Sequence, residues 1–230
     1  VSGIYLAVPV TLVLMQPDLG SAIILISIWL GTIVFSGMRL RHLTVLLLIF
    51  GALSLTAWNF ILVPYQKDRI IAFINPSADP KGTGYQTIQS VIAIGSGRIW
   101  GKGLGYGSQT HLKFLPEAES DFIFAAFAEE WGFVGVGILL LLMLLVLWRV
   151  VHIGMYAGDN FSRLYAIGFA IFLFVQSFIH IGANLGVLPI TGITLPFISY
   201  GGSSLVVVLA GVGFLQSIKM NARRAISAES

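Results

Sequence analysis

The chain has 230 residues, of which 57% are hydrophobic and only 10% are charged. A typical soluble domain carries about 25% charged residues, so this composition excludes an ordinary water-soluble enzyme and indicates an integral membrane protein. The sequence contains no cysteine, which excludes disulfides and thiolate chemistry. The net charge of +3 says little about function, because in a membrane protein the placement of Lys and Arg is more informative than their sum.

Apolar runs predict an all-α polytopic membrane protein, with residues 1–230 forming a single integral membrane domain. A membrane-spanning helix needs about 20 apolar residues. Val1–Met15 is shorter than that and begins without Met, so we expect it to be the tail of a helix in the C-terminal fragment of a longer protein. Together with this remnant, five complete spans make about six membrane segments: Leu19–Gly37, Leu43–Val63, Phe122–Trp148, Leu164–Leu188 and Ser199–Met220.

Basic residues predict the orientation of these spans, because the cytoplasmic loops of membrane proteins are enriched in Lys and Arg. If the five spans alternate, three basic segments fall on one side, which we assign to the cytoplasm: Arg39 with Arg41, Arg149 with Arg163, and Lys219 with Arg223 and Arg224. The long loop Pro64–Asp121 then lies outside, and a loop of this length usually has a function. Within it, Tyr85–Ile94 predicts a short amphipathic helix at the membrane interface.

The long loop ends at Asp121, directly before an apolar helix. An aspartate in this position is commonly an N-cap, whose carboxylate accepts hydrogen bonds from backbone N–H groups. It is also suited to be a general base, because a helix N-terminus lowers its pKa while a lipid surrounding raises it. Both roles remain open, and Asp121 is the candidate catalytic residue.

Cations in the same loop predict a site for an anionic, phosphorylated substrate. The candidate substrate-binding cations are Lys67, Arg69, Lys102 and Lys113. Lys102 lies in the glycine-rich segment Gly101–Gly107, whose backbone N–H groups suit a pyrophosphate, although a flexible turn explains the pattern better from its residues alone. Contact with membrane lipid head groups is the alternative for the cations. Nucleic acid is excluded as a partner, because the cations are interleaved with membrane-length apolar runs.

Three acidic residues outside the loop are assigned structural or pathway roles. Glu129 and Glu130 lie inside a predicted span, where an acidic side chain is costly and usually faces a bundle interior or a wet cavity. Pairing with a cation or with a polar neighbouring helix is the simpler explanation for both. Asp18 lies in an exterior turn before the first complete span.

A polar stripe runs through the fourth complete span, where Gln176, His180 and Asn184 recur at intervals of four residues. Such a stripe is more often used for hydrogen bonds between helices. Proton relay by His180 is the alternative. Gly182 and Gly186 form a GxxxG pair, which predicts close helix packing at the same place.

The exterior turn Pro189–Ser204 is predicted to line the same pocket as Asp121. Its two prolines fix the backbone, and its glycine pair permits close approach. Irregular backbone at this depth is tolerated where it is buried in protein or lines a cavity. The candidate substrate-binding residues outside the cations are Glu117, Ser199, Gly201, Gly202, Ser203 and Ser204.

Several motifs occur in order along nearly the whole chain: Gln16–Gly20, Asn75–Gly97, Gly101–Gly105, Phe114–Gly135 and Leu195–Ser204. In these motifs the chain resembles the SEDS family (shape, elongation, division and sporulation). The last of them, LPFISYGGSS, is highly specific. Pro64–Arg69 is more similar to the RodA branch of the family than to the FtsW branch.

The resemblance implies a ten-span protein of the bacterial inner (cytoplasmic) membrane, of which this chain is about the last six spans. It implies a peptidoglycan glycosyltransferase that polymerises lipid II in cell elongation and shape control, working with a class B penicillin-binding protein. The family's catalytic aspartate falls on Asp121, with Ser120 where the family usually has Thr. A divalent cation, Mg or Mn, is the one cofactor left open, without a predicted ligand set.

The implied chemistry suits a single carboxylate. Glycosidases generally need two, because their leaving group must be protonated, whereas lipid pyrophosphate is already a good leaving group. Asp121 would deprotonate an acceptor sugar hydroxyl, and the loop cations would hold the phosphates.

Four alternatives remain: an FtsW-like division polymerase, a polymerase or ligase of another lipid-linked glycan, a flippase or transporter for the same lipid, and a scaffold that recruits a synthase. A transporter predicts that the polar residues inside the spans matter more than Asp121. A scaffold predicts that Asp121 is dispensable.

Overall fold

The computed structural model describes residues 2–60, 64–75, 82–111, 114–115 and 117–229. In these ranges the regular secondary structure is α-helical, which confirms the all-α prediction for the described part of the chain. The helices are α1 Ser2–Met15, α2 Leu19–Phe35, α3 Leu40–Phe60, α4 Pro64–Ile74, α5 Thr83–Ser96, α6 Ser108–His111, α7 Ile123–Met155, α8 Asn160–Asn184 and α9 Gly202–Glu229.

Three of these helices are long and apolar enough to cross a bilayer, namely α7, α8 and residues Gly202–Ala222 of α9. Helices α1 and α2 have 14 and 17 residues, and the apolar run described within α3 is Arg41–Ala52. The chain is therefore a multi-pass membrane protein. Each predicted complete span overlaps one helix, but the count of six segments stays a prediction.

An apolar core joins α7, α8 and α9. Val150 of α7 packs with Phe169 and Leu173 of α8 and with Val208 and Leu215 of α9, and all five side chains are buried. Helix α2 packs on α8 as well. This close packing gives helices inside a membrane the van der Waals contact that replaces a hydrophobic driving force.

Helix α5 confirms the helix predicted over Tyr85–Ile94 and extends it by a few residues at each end. Its Ser90 and Ala93 are fully buried, and Ala93 belongs to a cluster with Ala125 of α7 and Ala183 of α8. The helix therefore forms part of the protein core, and does not lie only on the membrane interface as the sequence predicted. Helix α4, at the start of the long loop, was not predicted.

Helix α7 is broken at Gly132, where φ is 65° and ψ is −166°. The break releases backbone groups from the helical hydrogen-bond ladder, and the loop after α5 binds them. The N–H groups of Phe133 and Val134 donate to the carbonyls of Arg98 and Ile99 at 2.8 and 3.1 Å. Buried backbone groups are almost always paired in this way, so the loop stabilises the kink.

The same loop also binds α7 on the other side of the break, and we call residues 97–105 the strap. The N–H groups of Lys102 and Gly103 donate to the carbonyls of Glu129 and Glu130, both at 3.0 Å. Other N–H groups of the glycine-rich segment are also used within the protein, those of Gly101, Gly105 and Tyr106. The segment is therefore a strap anchored to α7, with five of the seven N–H groups of Gly101–Gly107 used within the protein. Pyrophosphate binding by this segment stays a prediction.

Helix α8 ends at Asn184, four residues earlier than the predicted span. Gly186, with φ of 70°, lies past this end, and the N–H groups of Val187 and Leu188 fold back onto the carbonyl of Gly182 at 2.8 and 3.1 Å. This is a glycine-dependent helix stop. The second glycine of the GxxxG pair thus lies beyond the end of α8, where a Cβ would stand 3.3 Å from Thr87 and 3.4 Å from Val91 of α5. Close packing is therefore found at Gly186, but not along one continuous helix face that contains both glycines.

Candidate functional site

The candidate site is built around the turn Glu117–Phe122, which leads into α7 and which we call the Asp121 turn. The Glu117 carbonyl accepts hydrogen bonds from the N–H groups of Ser120, Asp121 and Phe122 at 3.2, 3.1 and 3.3 Å. Glu117 itself has a φ of 53°, in the left-handed region that residues other than glycine rarely adopt. The turn is therefore strained backbone that its surroundings must hold in place.

The carboxylate of Asp121 does not cap α7. The N-cap residue is Phe122, and no side chain at that position caps the helix. The N-cap prediction for Asp121 is therefore wrong. The capping acceptor comes instead from α8, where the side-chain oxygen of Asn184 accepts from the N–H of Ala125 at 3.1 Å.

The polar stripe of α8 binds backbone groups through its side chains, both at the start of α7 and in irregular segments. Asn184 donates to the carbonyl of Asp121 at 2.9 Å. His180 donates through Nδ1 to the carbonyl of Ile193 at 2.7 Å, and Gln176 donates to the carbonyl of Thr194 at 3.0 Å. One side of α8 thus positions two segments, the Asp121 turn and the residues around Thr194.

The turn between α8 and α9 packs directly on the Asp121 turn. The Ser199 hydroxyl donates to the carbonyl of Ser120, and the N–H of Tyr200 donates to the carbonyl of Glu119, both at 2.9 Å. A Cβ added to Gly192, whose φ is 75°, would stand 3.9 Å from the Asp121 carboxylate. The structure therefore brings this turn to Asp121, as the proposed common pocket requires.

The other candidates in this turn differ in their surroundings. Ser204 exchanges a hydrogen bond of 2.9 Å with the hydroxyl of Thr194. A Cβ at Gly201 would stand in ordinary van der Waals contact with this pair, at 3.4 Å from Thr194 and 3.6 Å from Ser204. Gly202 and Ser203 are exposed in the first turn of α9. Their predicted substrate contacts stay predictions.

Burial and charge set the acidity of Asp121, whose side chain is half-buried. Burial raises the pKa of the Asp121 carboxyl above its ordinary value, and the nearby Glu117 carboxylate raises it further. The Arg69 guanidinium of α4 and a hydrogen bond from Ser120 lower the pKa but do not cancel the effect of burial. Arg69 also donates to the carbonyl of Ile190 at 3.4 Å, which ties α4 to the same site. The arrangement provides a carboxylate suited to accept a proton, beside a cation.

The remaining predicted phosphate-binding cations lie elsewhere. The Nζ of Lys67 lies 5.9 Å from the ring centroid of Trp58, in a cation–π contact. Lys102 is paired with Glu129. Lys113 falls outside the described residues. Arg69 is thus the predicted cation that the described contacts place beside Asp121.

Glu129 is fully buried, and one carboxylate oxygen, Oε1, collects four donors. These are Lys102 Nζ at 2.7 Å, the Gln109 N–H at 3.1 Å, and the hydroxyls of Ser96 and Ser108, both at 3.3 Å. A buried charge requires such partners. The sequence offered pairing with a cation as the simpler explanation, but it gave no sign that α5 and α6 would supply donors.

Two further acids bind backbone. Glu130 accepts from the N–H of Gly105 at 3.0 Å and so helps to hold the strap. Asp18 caps α2, accepting from the N–H and the hydroxyl of Ser21 at 3.0 and 2.6 Å. No group of three or more His, Cys, Asp or Glu that could hold a metal is found in the part of the chain that the structure describes. The open prediction of Mg or Mn stays untested.

Residues 1–224 match the family model described as "Cell cycle protein", which groups FtsW, RodA and SpoVE. The chain therefore belongs to the SEDS family. It is 44% identical over 210 residues to "Peptidoglycan glycosyltransferase MrdB" of Escherichia coli (strain K12), covering 91% of this chain and 57% of that protein. It is 43% identical over 215 residues to "Probable peptidoglycan glycosyltransferase FtsW" of Thioalkalivibrio sp. (strain K90mix), covering 92% and 53%.

A solved structure shows the same fold. A chain from "Structural coordination of polymerization and crosslinking by a peptidoglycan synthase complex" is 38% identical and superposes with a TM-score of 0.74, covering 93% of this chain and 59% of its own. This SEDS chain spans little more than half the length of the relatives that it matches.

Proposed function

We propose that this chain carries the catalytic centre of a peptidoglycan glycosyltransferase, which polymerises lipid II at the outer face of the bacterial inner membrane. The observation that carries the proposal is the Asp121 carboxylate, which is half-buried, is not used to cap α7 and lies beside Arg69. The relatives named peptidoglycan glycosyltransferases support the same reaction.

In the proposed reaction, Asp121 accepts the proton of an acceptor sugar hydroxyl. The hydroxyl oxygen attacks the anomeric carbon of the donor, and the glycosidic bond forms. The bond from that carbon to the pyrophosphate oxygen breaks, and the lipid pyrophosphate leaves with the electron pair. Burial raises the pKa of Asp121 toward the working pH, which makes the carboxylate a more effective base. Arg69 is placed to stabilise the departing phosphate charge.

An apolar groove next to this site fits the isoprenoid chain of such a substrate. Its volume is about 580 Å³, and its lining includes Leu140 and Leu147 of α7 and Phe174 and Phe178 of α8. It extends to residues 196–198, which continue directly into the residues that bind the Asp121 turn. We propose that a lipid tail in this groove directs its pyrophosphate toward the Asp121 turn.

The cellular setting is part of the same proposal. We place the protein in cell elongation and shape control, as a ten-span partner of a class B penicillin-binding protein, on the similarity of Pro64–Arg69 to the RodA branch. Identities of 44% and 43% to MrdB and FtsW relatives do not separate this role from division. The FtsW-like role is therefore the second candidate.

A transporter would use the polar residues inside the spans to pass its substrate. In the described structure these residues instead bind other parts of the protein. Glu129 and Glu130 hold the strap and its neighbours. Gln176, His180 and Asn184 hold the two walls of the Asp121 site. These contacts favour the enzyme.

The proposal is tested with Asp121→Asn in the full-length protein together with its partner synthase. Loss of the base should reduce glycan polymerisation from purified lipid II by about 100-fold or more, without loss of the folded protein. Glu119→Gln is the matched control, because Glu119 is an exposed acid two residues away whose carbonyl, and not its carboxylate, binds Tyr200. Polymerisation at the wild-type rate by Asp121→Asn would contradict the assignment.

A transport assay separates the second class of function. Labelled lipid II in sealed vesicles should be converted to glycan by the wild-type protein on the outer side. Translocation of the lipid without glycan formation would favour the transporter and overturn the proposed activity.

A further inference from the structure

Asn184 connects the end of α8 to the Asp121 turn, and its side chain is almost completely buried, at 1% exposure. Its Nδ2 donates to the carbonyls of Asp121 and His180, both at 2.9 Å. Its Oδ1 accepts from the N–H of Ala125 at 3.1 Å. The Ser90 hydroxyl donates to its own carbonyl at 2.8 Å, which brings α5 into the same junction.

The chemistry of this junction requires an amide in one orientation. Exchanging the amide nitrogen and oxygen of Asn184 would set an oxygen against the carbonyls of Asp121 and His180, and would set N–H groups against the N–H of Ala125. Both arrangements are repulsive, so the observed orientation is the one that satisfies all three partners. A carboxylate cannot donate, and an aliphatic side chain can neither donate nor accept.

The junction also determines what the Asp121 carboxylate does. The first N–H groups of a helix have no partners within it. An aspartate close to a helix start readily binds such N–H groups with its side chain. Because Asn184 supplies an acceptor to Ala125, one of these groups is already satisfied. The Asp121 carboxylate then remains in the pocket, where the charged groups facing it are Arg69 of α4 and Glu117 of its own turn.

We infer that Asn184 is a positioning residue for Asp121: it caps α7 in place of the aspartate and fixes the aspartate's backbone, so that the carboxylate stays directed to the substrate. This inference rests on the proposed function, in which Asp121 is the base. It predicts that changes at Asn184 alter the acidity of Asp121 as well as the rate.

The first test is Asn184→Leu in the full-length protein, with kcat and KM for lipid II measured across pH. Without the amide, the Asp121 carboxylate can turn to cap α7, and those N–H groups stabilise its charged form. The acid limb of the kcat profile should move to lower pH, and kcat at neutral pH should fall about 10- to 100-fold, because the base is misplaced. The KM for lipid II should stay close to the wild-type value.

The second variant, Asn184→Asp, has the same shape and gives the opposite shift. Its carboxylate still accepts from Ala125 but cannot donate to the Asp121 carbonyl when ionised. The added negative charge near Asp121 disfavours a second carboxylate, so the acid limb should move to higher pH. If Asn184→Leu does not fold, the pH profile of Asn184→Asp alone tests the inference.

Ser90→Ala is the matched control, because it removes a buried hydrogen bond to the Asn184 carbonyl and leaves the amide intact. It should lower stability without moving the acid limb. An unchanged acid limb in both Asn184 variants, or wild-type kcat in either, would overturn the positioning role. The two failures are distinguishable: Asp121→Asn that still polymerises lipid II refutes the base, whereas an inactive Asp121→Asn with unshifted Asn184 variants refutes only the positioning role.

Discussion

Two acids near the start of α7 have opposite surroundings. Glu129 is fully buried, and its Oε1 receives an ammonium, a backbone N–H and two hydroxyls. Asp121 is only half-buried. The Asn184 side chain binds the backbone carbonyl of Asp121, and the Ser199 hydroxyl binds the carbonyl of the neighbouring Ser120. At Glu129 the surrounding donors bind the carboxylate, whereas at Asp121 they bind the backbone around it.

This difference separates a structural acid from a candidate catalytic one more clearly than depth in the membrane does. The donors around Glu129 already occupy one of its carboxylate oxygens, which suits a structural role. A carboxylate whose backbone is fixed, and whose pKa is raised by burial, can accept a proton. Substitutions around Glu129 and around Asp121 test this comparison.

The largest effect is expected for Lys102→Met, which leaves the buried Glu129 carboxylate without its cation. Removing one partner of a buried ion pair typically costs about 3–5 kcal/mol, so we expect a large loss of unfolding free energy in detergent. Lys67→Met is the control, since a cation–π contact contributes about 0.5–1 kcal/mol at an exposed site. A Lys102→Met protein of normal stability with a raised KM for lipid II would instead support phosphate binding by Lys102.

Gly132→Ala tests whether the strap depends on the kink in α7. A Cβ at Gly132 would collide with the backbone of Gly101 and Ile99, and the backbone angles there suit only glycine. We expect a loss of about 1–3 kcal/mol from backbone strain, with more from the collision, measured as a lower thermal midpoint. Gly137→Ala, in the same helix with open space around it, should keep or raise stability, by up to about 1 kcal/mol. Equal behaviour of the two variants would show that the kink is not required.

Arg69→Gln tests the charge beside the proposed base. The guanidinium lowers the pKa of Asp121, so its removal should raise that pKa. Because the base is active when ionised, the acid limb of the polymerisation profile should move to higher pH. Lys67→Gln, two residues away and turned toward Trp58, should leave the limb in place. A shift of the same size in both variants would argue for a general effect of loop charge.

The smallest effect is expected for Glu117→Gln. The Glu117 carboxylate raises the pKa of Asp121, but less than burial does. Its removal should lower the pKa and move the acid limb slightly to lower pH, opposite to Arg69→Gln. Glu119→Gln serves again as the control. A shift to higher pH would show that Glu117 acts on the site by another route.

Local pattern predicted the elements of this fold better than their junctions. Alternation between apolar runs and turn formers was enough to place α5 over Tyr85–Ile94 and to mark Asp121 at the start of α7. It did not predict the break at Gly132, because a glycine inside a helix is compatible with a straight helix until another backbone approaches it. It did not predict that Gly186 lies beyond the end of α8, because a GxxxG spacing is the same whether its second glycine lies inside a helix or just past its end.

The sequence by itself determined that the chain is a helical membrane protein, that it belongs to the SEDS family, and that an aspartate stands at the start of α7. These properties depend on composition, on short-range periodicity and on contiguous motifs. Only the tertiary structure decided that Asn184, 63 residues further along the chain, caps that helix in place of Asp121. Any acceptor in reach can satisfy the N–H groups of a helix start, and which one is in reach depends on how distant helices pack. For that reason the sequence could predict that an aspartate stands before α7, but it could not predict that the carboxylate of this aspartate does not cap the helix.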